Sequence, residues 1–406
     1  MEIYVAGDNI FSPLGKTTAE NFSQLRKGVS GVRRHDIRAM SELPFHASLF
    51  GPGGLAGKGR SSVKDLPGDD DHPDGDDPLC SNDHPVLYTR FEQMLLASVG
   101  DALQTSGIEP GDKKTVLIIS STKGNIDLLE TGIDRGNAIN NAELQRRIAI
   151  PASARLVAGY FNFVNSPIVV SNACISGILA ILTGMRGIQS GQYENAVIAG
   201  ADIISRFVLS GFQSFQAVSP ERCKPFDQSR DGINLGEGAG TLILSSRKQY
   251  ARGIKISGGA VSNDANHISG PSRTGEELCQ VITRSLKQAG LEAGMIDFIS
   301  AHGTATVYND EMEAKAFNLA HLQSAPVNSL KAYYGHTLGA AGLIESIVTL
   351  QSMREDLVLP SLGFENIGVT KPLNICSSLL RTNLNNCLKT ASGFGGCNAA
   401  VVMSKQ

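Results

Sequence analysis

The feature that most constrains this chain is a self-similarity. PIVVSNACISGILAIL, from Pro167, resembles PVNSLKAYYGHTLGAAGLIESI, from Pro326. Each reads as a short strand, a tight turn carrying a reactive residue, and a helix of small residues. Further on, GEGAGTLILSS from Gly236 resembles GGCNAAVVMSK from Gly395. The reactive residues are 162 positions apart (174 to 336) and the glycine-rich strand starts 159 apart (236 to 395). Two matches in register argue for an internal duplication of roughly 160 residues. Each half is then a βαβ-type unit, with 1–250 as the first and 251–406 as the second. The two strand-to-helix turns are expected to meet near a pseudo-twofold axis.

The local patterns agree with an α/β fold. Thr115 to Ser120, Pro167 to Val170, Asn195 to Ile198, Thr241 to Leu244 and Met295 to Ile299 read as buried strands. Ser171 to Gly191 and Gly335 to Glu355 read as helices. Strands alternating with helices imply sheets covered on both faces. Apolar residues make up 41% of the chain, enough for a large core. One stretch cannot join that core: Gly51 to Cys80 holds seven Gly, four Pro and seven Asp and no aromatic residue. We read about 51–85 as a surface loop or disordered insertion.

Composition also excludes functions. A net charge of −3, with no Lys/Arg block, gives no reason to expect nucleic acid or an anionic membrane surface as partner. No apolar run reaches roughly 18 residues, so no transmembrane helix is expected. The N-terminus lacks the basic and apolar regions of a signal peptide. The seven cysteines are widely spaced and form no C-x-x-C pair, which argues against a disulfide framework and a zinc site. A cytoplasmic location is expected.

Cys174 precedes a helical repeat formed by Ile175, Ile178, Leu179, Leu182 and Met185. A cysteine at a helix start faces unpaired N–H groups that stabilise a thiolate and an acyl oxyanion. An inert buried cysteine would read the same on this segment alone. Two histidines narrow the choice. His302, in IDFISAHGTAT, follows a strand in a loop of small residues that should leave the ring accessible. His336, in SLKAYYGHTLGAAG, occupies the place of Cys174 in the second repeat, at the start of a helix. One cysteine and two histidines at such turns suit acyl transfer assisted by imidazoles.

ACISG at Cys174, AHGTAT at His302 and KAYYGHTLGAAG at Lys331 and His336 resemble the signature blocks of the β-ketoacyl-acyl carrier protein synthases. KPFDQSRDGINLGEGAG from Lys224 and GFGGCNAAVV from Gly393 resemble two more, in the family's order. The resemblance implies a thiolase-like fold, with duplicated αβα halves forming a five-layered αβαβα structure, usually as a homodimer. It implies that Cys174 takes an acyl group from the phosphopantetheine of an acyl carrier protein. The N–H groups of Cys174 and Phe394 would form the oxyanion hole, and the Phe394 ring would gate the malonyl entrance. His302 and His336 would stabilise the enolate left when malonyl thioester loses carbon dioxide. Lys331 and Glu345 would pair in an orienting role, and Asp227 and Glu237 would hold the neighbouring loops. No metal or redox cofactor is implied.

Three residues depart from the family pattern: Ile175 and Ala305 where small residues or Gly are usual, and Ile233 where an aromatic is common. They bear on the acyl pocket, and leave open fatty acid, polyene or polyketide synthesis. Two other readings stand beside a synthase: a thiolase acting on coenzyme A thioesters, with Cys397 as a second thiol, and a non-catalytic, chain-length-factor-like partner in a heterodimer with a related synthase.

Overall fold

The computed structural model describes residues 1–51, 88–134 and 142–406. The Gly/Asp-rich stretch, apart from Gly51, lies outside the described residues.

The first half contributes β1 (Tyr4–Phe11), β2 (Thr115–Ser120), β3 (Ile168–Val170), β4 (Asn195–Asp202) and β5 (Gly238–Ser245). The second contributes β6 (Ile254–Asn263), β7 (Phe298–Ser300), β8 (Pro326–Asn328), β9 (Asn386–Gly393) and β10 (Cys397–Lys405). Their lateral order is β3-β2-β4-β5-β1 followed by β6-β10-β9-β7-β8, with a short strand, Asn374–Ile375, at the second edge. Both halves therefore repeat one order, 3-2-4-5-1. They join where β1 meets β6, antiparallel, at Tyr4 and Lys255. In each half the second strand runs parallel to both its neighbours; the other pairs among these ten strands are antiparallel, and the short edge strand runs parallel to β8.

Five layers follow from where the side chains point. Along β2, Val116 and Ile118 face a central core, while Leu117 and Ile119 face a second core on the other side. A strand buried on both faces reads as a continuous apolar run, which explains TVLIIS. The outer layer of the first half is α1 (Arg90–Ser106), whose Phe91, Met94, Leu95 and Val99 cover Leu117, Ile119 and Ile243. Thr89 and Glu92 form a capping box at its start, and Gly107 closes its end in the left-handed region. The outer layer of the second half includes α3 (Glu276–Ala289), whose Leu278, Val281 and Ile282 cover Leu388, Ala400 and Val402. Between the two halves of the sheet lie α2 (Ser176–Gln189) and α5 (Ala341–Glu355). A fifth long helix, α4 (Val307–Leu319), follows β7.

The central helices touch backbone to backbone. A Cβ on Gly177 would lie 2.5 Å from the Leu343 nitrogen, and one on Gly342 would lie 3.1 Å from the Ile178 nitrogen. The small residues read from both repeats are thus the contact between the halves. Two expectations need correction. His336 does not start a helix: Lys331–Tyr334 forms a single turn, Leu338–Ala340 a 3-10 turn, and α5 begins at Ala341. Residues 293–295 form a 3-10 turn ahead of β7 rather than its first residues. No helix of the described residues is long and apolar enough to cross a membrane.

Gly177→Ala should lower stability by about 1–3 kcal/mol, because the methyl meets backbone that cannot turn aside. Gly159→Ala, on an exposed helical position with nothing within 4 Å of the added carbon, should raise it by about 0.4–1 kcal/mol. Denaturant unfolding of the two variants checks the opposite signs.

Candidate active site

The turn after β3 aims Cys174. Ala173 adopts φ +44, a conformation that costs a non-glycine residue about 1–2 kcal/mol. Ser176 holds the turn: its hydroxyl accepts from the Asn172 N–H and donates to the Ala173 carbonyl, both at 2.7 Å. Ile175 is the N-cap of α2, so Cys174 sits just before the first free N–H groups of that helix. Gly393 packs against it, close enough that a Cβ there would lie 3.0 Å from the Cys174 nitrogen.

His336 is set by a different device. Gly335 ends the single helical turn with φ +68, where a Cβ would lie 2.2 Å from the Leu235 carbonyl oxygen. The His336 N–H then donates to Asn234 at 2.7 Å, and its carbonyl accepts from Gly236 at 3.0 Å. This local zipper, rather than a helix start, fixes the ring. Asp202, at the end of β4, ties the two repeats together. Its carboxylate accepts from the Ser121 hydroxyl (2.7 Å), the Thr122 N–H (3.1 Å) and the Gly339 N–H (2.6 Å).

His302 lies past β7 and is pinned through its main chain. Glu313 of α4 accepts from the N–H groups of His302 (2.8 Å) and Gly303 (2.7 Å). Lys331 donates to the His302 carbonyl at 3.0 Å, and Lys389 to the Ala301 carbonyl at 2.9 Å. Lys331 is ion-paired with Glu345, and Lys389 lies 2.6 Å from the other oxygen of the same carboxylate. All three are buried. The expected Lys331–Glu345 pair is therefore part of a buried triad. The sequence reading passed over Lys389, Glu313 and Asp202. Lys389 had left a signal, a lone charge in the apolar strand NCLKTASG; Glu313 and Asp202 had left none that stands out.

The three candidate reacting groups converge. One atom each of Cys174, His302 and His336 lies within 4.8 Å of the others. The imidazole rings meet edge to face, with centroids 5.2 Å apart. His302 is only 2% exposed and His336 1%, so the expected accessible ring of His302 is instead sunk in the floor of the site. The loop residues around it are small, but β8 and α4 close over them. Nδ1 of His302 and both ring nitrogens of His336 have no hydrogen-bond partner. These groups line a cavity of about 410 Å³ shared with Phe212, Phe215, Thr304 and Phe394. Phe394 is 40% exposed, stacked on Phe212 at 5.8 Å and edge-on to Phe215 at 5.7 Å.

Burial, with Lys331 and Lys389 nearby, holds both imidazoles well below the ordinary histidine value, so both are neutral at pH 7. Burial also pushes the Cys174 thiol up to about 12, with Cys397 adding to the rise and Lys331 opposing it. The stabilised thiolate expected from the helix start is thus outweighed by desolvation in the free protein. Asp227 and Glu237 stand away from the reacting groups. Although burial raises it, Asp227 is held down to about 2 by the N–H groups of Asn366, Ser229 and Glu365, which it accepts from. Glu237 accepts from the N–H groups of Phe50 and Ile204 and pairs with Arg90 at 2.9 Å.

The sequence matches the profiles named Beta-ketoacyl synthase, N-terminal domain, over residues 1–250, and Beta-ketoacyl synthase, C-terminal domain, over 254–365. The chain belongs to the β-ketoacyl synthase family, a family of acyltransferases. It is 29% identical to 3-oxoacyl-[acyl-carrier-protein] synthase 2 of Rhizobium meliloti, over 99% of this chain and 98% of that one. It is 29% identical to a putative polyketide beta-ketoacyl synthase 1 of Streptomyces cyaneus, over 81% of this chain and 85% of that one. Among solved structures, the ishigamide ketosynthase/chain length factor superposes with a TM-score of 0.85 at 25% identity, covering 100% of this chain and 99% of that one. The five-layered thiolase-like fold is thus shared with ketosynthases.

Neutral rings predict that two of the eight histidines keep neutral-ring NMR shifts below pH 6, and that these signals are lost in His302→Asn and His336→Asn. Titration of both near 6.5 would contradict this. The sign for stability follows: the unfolded chain takes up protons first, so this pair's contribution is present above about 6.5 and lost as pH falls. Separately, Glu345→Gln leaves two buried ammonium groups without their carboxylate and should cost about 3–5 kcal/mol in chemical unfolding.

Proposed function

We propose that this chain is an active ketosynthase that joins an acyl group held on Cys174 to a decarboxylated malonyl unit. The observation that carries the reading is the convergence of the Cys174 sulfur with two neutral, buried imidazoles, His336 with both ring nitrogens unpartnered and His302 with Nδ1 unpartnered, at the floor of one cavity.

The reaction starts with an acyl group carried as a thioester on the phosphopantetheine of an acyl carrier protein. Cys174 loses its proton as it attacks, with a neutral imidazole at hand to accept it, and the pantetheine thiol leaves. The N–H groups of Cys174 and Phe394 stabilise the oxyanion that forms at the carbonyl. Malonyl thioester then enters past the Phe394 ring, with its carbonyl oxygen toward His302 and His336. Cleavage of the carboxyl bond releases carbon dioxide and puts the electron pair on the thioester enolate. Two fixed N–H donors in a site shielded from water stabilise that oxygen. The carbanion attacks the acyl carbonyl, the β-ketoacyl thioester forms, and Cys174 departs as a thiolate that regains a proton. Lys331, Glu345 and Lys389 keep the His302 segment in place throughout. The balance needs no electron carrier or metal, and the pantetheine arm arrives with the carrier protein.

Support for this substrate class comes from relatives named as 3-oxoacyl-[acyl-carrier-protein] synthases and polyketide synthases. One solved relative is an acyl-carrier protein in complex with its ketosynthase. Others pair a ketosynthase with a chain length factor. That pairing supports a dimer with a second copy or a related subunit. A silent-partner role for this chain is disfavoured by the three converged groups, which a purely pocket-shaping subunit has no need to keep.

Intact-mass spectrometry after incubation with acyl-carrier-protein thioesters of varied chain length tests the proposal. Wild type should gain one acyl group, Cys174→Ala none, and malonyl-carrier protein should discharge the adduct as a β-ketoacyl product. His336→Ala should slow the discharge about 10²–10³-fold. No adduct with any donor would identify a silent partner. Discharge by acetyl-coenzyme A, and not by malonyl-carrier protein, would identify a thiolase.

A further inference from the structure

The floor of the cavity offers a chemistry that acyl transfer does not use. One sulfur and two imidazole nitrogens lie within 4.8 Å of one another. Sulfur and imidazole ligands in this number suit Zn²⁺ and its borderline-soft neighbours. Both histidines are almost fully buried, and His336 leaves both ring nitrogens unpartnered while His302 leaves Nδ1. A buried nitrogen without a partner carries a desolvation cost that a bound cation removes. Bonds of about 2.0–2.3 Å in a tetrahedron place ligand atoms about 3.5 Å apart. The closure required is therefore small, and Cys174, whose sulfur is buried together with the two imidazoles, can supply it by side-chain rotation. The fourth position opens into the cavity, where a water molecule can complete the tetrahedron.

We propose that Cys174, His302 and His336 form a reversible binding site for a borderline-soft divalent cation, Zn²⁺ fitting best, which competes with the acyl group for the Cys174 sulfur. On binding, the thiol gives its proton to solvent and a sulfur lone pair forms the bond to the metal. No electron changes hands, and release of the ion returns the thiol.

Two features make this an exchangeable ion rather than a resident one. Neither ring nitrogen of His336 donates to a carboxylate, and lack of such a partner costs a metal site about 10–100-fold in affinity. The ammonium groups of Lys331 and Lys389 also lie under the site, matched by the single carboxylate of Glu345. The three ligands come from separate segments, which is why cysteine spacing in the sequence carried no zinc signature.

Anaerobic titration of the full chain with Co²⁺, as a spectroscopic stand-in, tests the proposal. One equivalent should produce thiolate-to-cobalt charge-transfer absorption that Zn²⁺ displaces. The absorption should be absent from Cys174→Ala and from wild type alkylated at Cys174. Zn²⁺ at ten times its dissociation constant should slow Cys174 alkylation of the wild type about tenfold. His336→Asn, confirmed as folded by circular dichroism, should alkylate at Cys174 and lose that protection. Absorption retained in Cys174→Ala, no absorption in wild type, or an alkylation rate unchanged by Zn²⁺ would overturn the proposal. Acylation of Cys174 is read by mass in a separate experiment, so the synthase assignment stands or falls independently.

Discussion

The site exists because two helices, one from each half, meet at glycines that leave no room for a side chain of their own. At Gly177 and Gly342 the two helices α2 and α5 approach so closely that a methyl group would strike the Leu343 main chain at the first position and the Ile178 side chain at the second. That contact sets the distance between the turns that precede the two helices. One turn carries Cys174 and the other His336. Asp202 locks the same arrangement from the strand side by gathering N–H groups from both halves. Close packing of two small-residue faces thus does more than fill the core: it brings together groups remote in the chain.

Electrostatics then decides which protonation states the assembled groups hold. The pocket is dry enough to keep two imidazoles neutral and one thiol protonated. Beneath it, Lys331 and Lys389 share Glu345 and fix successive carbonyls of the segment that ends at His302. A buried triad of this kind is weak evidence for stability, because desolvation opposes attraction. Its value here is positional. The main chain of His302 is held at its N–H by Glu313 and at its carbonyl by Lys331, so the ring has a fixed origin.

Much of this was legible in the residues. The repeat at Cys174 and His336 reports a real duplication, seen as one strand order used twice. TVLIIS and the runs around Asn195 and Thr241 read as buried strands because both faces of each are covered. The Lys331–Glu345 pair was read from matching motifs and found in contact. What was not legible arises from long-range contact. The extended link at His336 depends on hydrogen bonds to Asn234 and Gly236, which no local pattern encodes. Burial of His302 depends on elements that close over a loop of small residues. The third member of the triad, Lys389, sits in a strand where one lysine among apolar residues signals only that a partner must exist, not which one. The thiol's state was misjudged for the same reason: helix-start dipoles are local and visible in sequence, whereas desolvation is a property of the assembled pocket.

The central claim is that the paired imidazoles, rather than the thiol, bring about loss of carbon dioxide from the malonyl unit. The most direct test is release of labelled carbon dioxide from malonyl-carrier protein in the absence of any acyl donor. The account predicts that release persists in Cys174→Ala and collapses in His302→Ala and His336→Ala. Release that stops in Cys174→Ala while continuing in both histidine variants would contradict it.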